Sequence, residues 1–128
     1  MKRFLPLAAC LAATVGLAAP AAAQDMVQVA GKAAKVVLEN ERVRVIEITV
    51  PPGGSTGMHS HAGDQLVVFL SGATGMQQMA DGTQKAMNRK PGEVAWNTPV
   101  THDTKNTGQQ PVRTLVIELK GPPLEAAP

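Results

Sequence analysis

No tyrosine occurs in the 128 residues, and the chain carries two phenylalanines, one tryptophan and one cysteine. Each shortage closes off a class of function. The cysteine is Cys10, inside the first apolar stretch, so residues 24–128 contain neither a disulfide nor a reactive thiol. With so few rings, a pocket here lacks the flat walls on which polyphenols stack. Charge of one sign is missing too. Twelve Lys and Arg face ten Asp and Glu, and the excess is Lys2 and Arg3 at the very start. A nucleic-acid binder needs surplus cations to neutralise phosphates, and none is left once those two are set aside. No basic amphipathic segment points to a membrane surface.

Lys2 and Arg3 precede an Ala/Leu-rich run, Phe4 to Ala19, which ends at Pro20 and the small residues Ala21-Ala22-Ala23. Basic start, short apolar run and small-residue end are the parts of a secretory signal peptide. Pro6 and Gly16 interrupt the run, which is short for a membrane anchor. Leu7-Ala8-Ala9-Cys10 mimics a lipoprotein cleavage box, but only Phe4 to Leu7 stand before it as an apolar spacer. The reading is a signal peptide over residues 1–23, a periplasmic or secreted protein, and no membrane contact after cleavage. Residues 24–34 are expected to form an extended N-terminal arm, 35–121 one domain, and the proline-rich 122–128 a flexible tail.

Beyond Ala23 no segment has a helical period. Short runs of Val, Ile, Leu and Thr alternate with Gly, Pro, Asn and Asp turns, the pattern of an all-β barrel or sandwich. Arg42-Val43-Arg44-Val45 alternates, and Ile46, Ile48 and Val50 then continue out of phase, which predicts a bulge near Val45-Ile46. Gln65 to Leu70 is apolar on both parities, so both faces of that strand should be covered. Asp81-Gly82 reads as a hairpin turn. The last strand runs from Pro111 to Leu119, with Leu115, Ile117 and Leu119 on one face. Met58, Met76, Met79 and Met87 read as flexible core filling rather than a Cu(I) site.

Chemistry concentrates in three histidines. His59-Ser60-His61 on a strand turns both imidazoles to one face, a bidentate grip for a divalent ion. His102 follows the Pro99 turn, where a returning strand brings it alongside. The bland alternative is two exposed histidines on a loop. Gln65 shares parity with His59 and His61, and Asp64 is an alternative carboxylate ligand if the intervening turn is one residue tighter. Val67 and Phe69 have the parity of Gln65 and are expected, with Trp96, to line a pocket.

The spacing Gly53-x5-His59-x-His61-x3-Gln65-x6-Gly72 resembles the first motif of the cupin family, with Gln65 where that family usually has glutamate. Gly92, Pro99 and His102-x3-Asn106 resemble its second motif, with a shortened stretch between Pro99 and His102. The resemblance spans roughly residues 35–121. It implies a single-domain cupin β-barrel (a double-stranded β-helix, or jelly roll) holding one divalent transition metal, Zn, Mn, Fe, Ni or Cu, through His59, His61 and His102, with Gln65 beside it. Without the glutamate, the ion should keep its full charge and favour an anionic partner at an open position. Binding needs neutral imidazoles, so metal affinity should fall below about pH 6.

Three functions fit this resemblance. One is a metal-dependent oxygenase acting on a small oxyanion or enolisable substrate. A second is a non-enzymatic periplasmic module capturing a metal or small ligand. The third is a metal-dependent isomerase or lyase. Cupins commonly dimerise, and Leu66, Val68 and Leu70, facing away from the barrel lining, suggest a homodimer.

Overall fold

Aliphatic and β-branched residues between turn signals become strands wherever a pleated face can be covered. The computed structural model describes residues 24–121, so the signal-peptide segment 1–23 and the tail 122–128 lie outside the described residues. In chain order the strands are β1 Ala34–Glu39, β2 Val43–Val50, β3 His59–His61, β4 Gln65–Phe69, β5 Ala73–Met79, β6 Gln84–Arg89, β7 Val94–Asn97, β8 Val100–Asn106 and β9 Val112–Leu119. They build a five-stranded sheet, β1-β2-β9-β4-β7, and a four-stranded sheet, β3-β8-β5-β6. All named pairings are antiparallel. The fold is all-β, a jelly roll, as the strand-and-turn pattern predicts. Asp81-Gly82 closes the β5–β6 hairpin, with Gly82 at φ +86 and the Asp81 carboxylate accepting from Thr83 N.

Two expectations are corrected. The arm is not extended: Met26–Ala30 form a short helix, α1, followed by a single 3-10 turn at Gly31–Ala33. The Asp25 carboxylate caps α1 by accepting from Val27 N, and Met26 is buried against Ile46, Ile48, Val50 and Val116. Five residues are too few to leave a period in the sequence. Nor does β2 bulge at Val45-Ile46, because its register with β9 is unbroken from Val43 to Val50. The irregularity lies on the partner strand, where β1 shifts register between Val36 and Leu38. Val43 and Val45 face outward, whereas Arg44 shares the inner parity of Ile46, Ile48 and Val50. The apparent change of phase was a charged residue turned inward.

Directly opposed residues on antiparallel strands share a face, so the register maps both sides of the larger sheet. Its inner side carries one apolar row, Val36-Ile46-Val116-Val67-Ala95, and one polar row, Arg44-Glu118-Gln65-Asn97. Its outer side carries the row Leu38-Val45-Ile117-Leu66-Trp96, with Leu115, Val68 and Val94 alongside. Leu38, Val94 and Trp96 are exposed. The outer face of β4, expected to be covered, is only half-covered within one chain.

Candidate metal centre

β3 is three residues long and exists to present its ends. His59 and His61 point inward and are buried, while Ser60 turns the other way and bonds Thr101 Oγ1 at 2.8 Å. β8 pairs antiparallel with β3 and sets His102 directly opposite His59. The imidazole centroids stand 4.8 Å (His59–His61), 4.8 Å (His59–His102) and 5.5 Å (His61–His102) apart. One ring nitrogen from each lies within 4.8 Å of the others. The strand periodicity and the return after Pro99 thus bring all three rings together.

Two rings are held from behind. His59 Nδ1 donates to Gly57 O at 2.7 Å, and His61 Nδ1 donates to Glu118 Oε1 at 2.8 Å. Gly57 can place its carbonyl there because its φ is +77, and a Cβ would meet Val29 Cγ1 at 2.6 Å. With both Nδ1 atoms donating, the neutral rings present unprotonated Nε2 atoms. Those two Nε2 atoms lie 3.0 Å apart. Two lone pairs at that distance repel unless a proton or a cation sits between them. Two ligands about 2.1 Å from one ion at right angles are about 3.0 Å apart, so the donor set fits a divalent metal.

Burial adjusts the same groups for binding. It pushes the His102 pKa down from 6.5 to about 4, with the neighbouring His59 and His61 adding to the effect. Burial also lowers His59, against the opposing pull of its bond to Gly57 O. Neutral imidazole is the form that ligates, and both rings keep it to a lower pH than an ordinary histidine.

Glu118 escaped the sequence reading. Burial alone would raise its pKa, but the bonds from His61 and Arg44 outweigh burial and hold it below the usual carboxylate range. Arg44 Nε donates to Glu118 Oε2 at 2.6 Å, and its other arm reaches Asp25 beside α1. A chain Asp25–Arg44–Glu118–His61 therefore fixes the orientation of the ligand ring. With one cation between two carboxylates, it also places a net negative charge behind His61. The available signal was inner parity: Glu118 alternates with Leu115, Ile117 and Leu119, the residues that drew attention to the other face.

Gln65 is 1% exposed and borders a cavity of about 480 Å³ that the three histidines also line. Its Nε2 is the only buried side-chain nitrogen or oxygen among the described residues without a hydrogen-bond partner. Asp64 is buried but lies neither in the histidine cluster nor on the cavity wall, so Gln65 is the one that faces the centre. Val67 and Phe69 line the cavity. Trp96 does not. It pairs with Leu66, whose parity is outward, and stands 47% exposed against a neighbouring pocket of about 380 Å³ that shares His102 and Lys85 with the first.

The cupin domain family matches residues 46–118, more than half of the chain. Among solved structures, the chain is similar to a cupin domain from Bordetella pertussis Tohama I, at 29% identity and TM-score 0.65, over 69% of this chain and 92% of that one. It is similar to a predicted oxalate decarboxylase from Thermotoga maritima, at 26% identity and TM-score 0.51, over 67% and 78% of the two chains. A cupin-like protein from Thermotoga maritima MSB8 shares the fold at 23% identity and TM-score 0.55, over 70% and 71%. No curated protein matches the chain.

Proposed function

The chain belongs to the cupin family, and from that premise we propose that it is an exported protein that holds one divalent metal ion through His59, His61 and His102 and captures a small molecule there. The observation that carries this reading is the 3.0 Å approach of His59 Nε2 to His61 Nε2 with both Nδ1 atoms already donating. When bound, the ion would supply Lewis acidity to a ligand oxygen. The chain does the rest: Gly57 O and Glu118 fix two rings, and Ile48, Val67, Phe69 and Val116 give the cavity apolar walls.

Capture is favoured over catalysis by the cavity lining. No Asp or Glu borders the cavity among the described residues, so no carboxylate stands ready to take a proton from a ligand. Isomerase or lyase chemistry, which must move a proton, draws no support from that lining. An oxygenase is the second reading, and it requires a substrate that arrives already ionised. Metal analysis and oxygen-uptake assays on protein from its native compartment separate the two. One metal per chain with no oxygen consumption supports capture, and turnover with an enolisable acid supports the oxygenase. Replacing Gln65→Glu tightens the metal about tenfold in either case, an effect held down by the neighbouring Glu118.

We also propose that a second copy of the chain covers the outer face of the five-stranded sheet. The row from Leu38 to Trp96 crosses five strands, about 20 Å at a spacing of about 4.8 Å. Leu115, Val68 and Val94 lie alongside it, and Leu38, Val94 and Trp96 are left exposed within one chain. A two-fold pairing needs no other surface than this one.

A further inference from the structure

Two observations independent of the histidines describe what enters the cavity. The first is Gln65. A buried amide without a partner is costly, so its place on the cavity wall calls for a ligand atom that completes it. The second is charge. Among the described residues, the ionisable groups lining the cavity apart from the histidines are Lys85 and Arg89, both positive. They alternate with Met87 on one side of β6, the edge strand of the smaller sheet. Lys85 makes no ion pair among the described residues and borders both pockets. Arg89 lies over the Phe69 ring, 5.7 Å from its centroid, and its contact with Glu93 is long, at 3.8 Å.

We propose that the cavity selects a small organic carboxylate, with Gln65 Nε2 donating to the ligand head beside the histidines and Lys85 and Arg89 supplying the charge preference at the β6 side. This rests on the metal reading above for the position of the head group, but not for the sign of the ligand. The orphan amide asks for an acceptor oxygen and the cationic edge asks for a negative one, with or without an ion present. Lys85 borders both pockets together with His102, and Arg89 lies over Phe69 on the wall of the first.

The test titrates malonate and its neutral isostere malonamide into zinc-loaded and metal-free protein by calorimetry. Fluorescence of Trp96, the single tryptophan, in the neighbouring pocket that also borders His102 and Lys85 gives a second readout. Malonate is expected to bind the zinc form at least about tenfold tighter than malonamide, as a charge-assisted bond allows. The double variant Lys85→Gln/Arg89→Gln loses about tenfold for malonate and takes up zinc as the wild type does, which shows that it is folded. Equal binding of acid and amide, or undiminished malonate binding by the double variant, overturns the proposal. Failure of zinc to bind the wild type sinks the metal reading alone. In that event the metal-free protein still prefers malonate, and Gln65→Leu weakens that preference. No preference in either form sinks the carboxylate reading instead.

Discussion

The two faces of the five-stranded sheet are made by the same strands and carry opposite chemistry. On the inner face, Gln65 and Glu118 sit directly opposed, flanked by Arg44 and Asn97, and look toward the three imidazoles. On the outer face, one residue further along each strand, Leu66 and Ile117 are opposed, flanked by Trp96 and Val45. An ordinary half-buried sheet turns its apolar side in and its polar side to water. Here a polar row lies inside and an apolar row lies outside. The interior row is tolerable because its two charged members, Arg44 and Glu118, bond each other, and its two amides, Gln65 and Asn97, border the cavity. Stability comes from the apolar inner rows beside it, Ile46, Ile48, Val50 and Val116, packed on Met26 of α1.

Substitutions on the two faces should therefore separate cleanly, and the largest effect belongs inside. His59→Ala removes one of three ligands and the ring that shares the 3.0 Å contact. Its zinc affinity should fall by more than about 100-fold, beyond the range seen when only a supporting partner is lost. Competition with a chelator of known affinity reads this directly.

Glu118→Gln comes next. It keeps the shape but removes the charge that His61 Nδ1 and Arg44 Nε share. Zinc affinity should drop about 10–100-fold while the far-ultraviolet circular dichroism stays that of the wild type. Wild-type affinity in this variant would reduce Glu118 to a fold element.

A third effect needs no mutation. Folded His102 takes a proton only near pH 4, whereas the unfolded chain takes it near 6.5. The unfolded state thus binds more protons between those values, and metal-free protein loses stability as the pH falls from about 6.5 toward 4, by up to about 3 kcal/mol. Above about 6.5 this group contributes no slope. Urea titrations across that range should show the loss, and His102→Asn should reduce it, leaving the share that His59, lowered in the same direction, contributes. Zinc retention should extend below the pH 6 expected for an unperturbed imidazole.

The smallest effect at the centre belongs to the outer face. Leu66→Lys together with Trp96→Glu places charge in the apolar row, and zinc affinity should stay within about twofold of the wild type. The same variant should halve the mass seen by light scattering, from two chains to one. A dimeric variant, or a monomeric wild type, removes the proposed pairing.

How much of this was legible in the sequence depended on what each face contains. The strands and turns were readable because aliphatic runs and Gly/Pro/Asn breaks are local signals. His59 and His61 were readable because a strand has period two, and Gln65, Val67 and Phe69 followed by parity. What sequence alone did not convey is which of two usable faces turns inward. Leu115, Ile117 and Leu119 form the more apolar side of β9, yet Val112, Thr114, Val116 and Glu118 point into the barrel. The same ambiguity made Arg44 look like a break in phase and assigned Trp96 to the histidine-lined cavity rather than to the pocket beside it. A polar site inside and an apolar face outside defeat the usual sorting rule at those positions. The helix α1 was hidden for a different reason, being a single turn fixed by one cap and one buried methionine.

X-ray absorption at the zinc edge of the loaded wild-type protein tests the metal centre most directly. Three imidazole nitrogens at about 2.0–2.1 Å are predicted, falling to two in His102→Ala. A zinc environment made only of oxygen, or one unchanged by that substitution, would contradict a metal centre built from these rings.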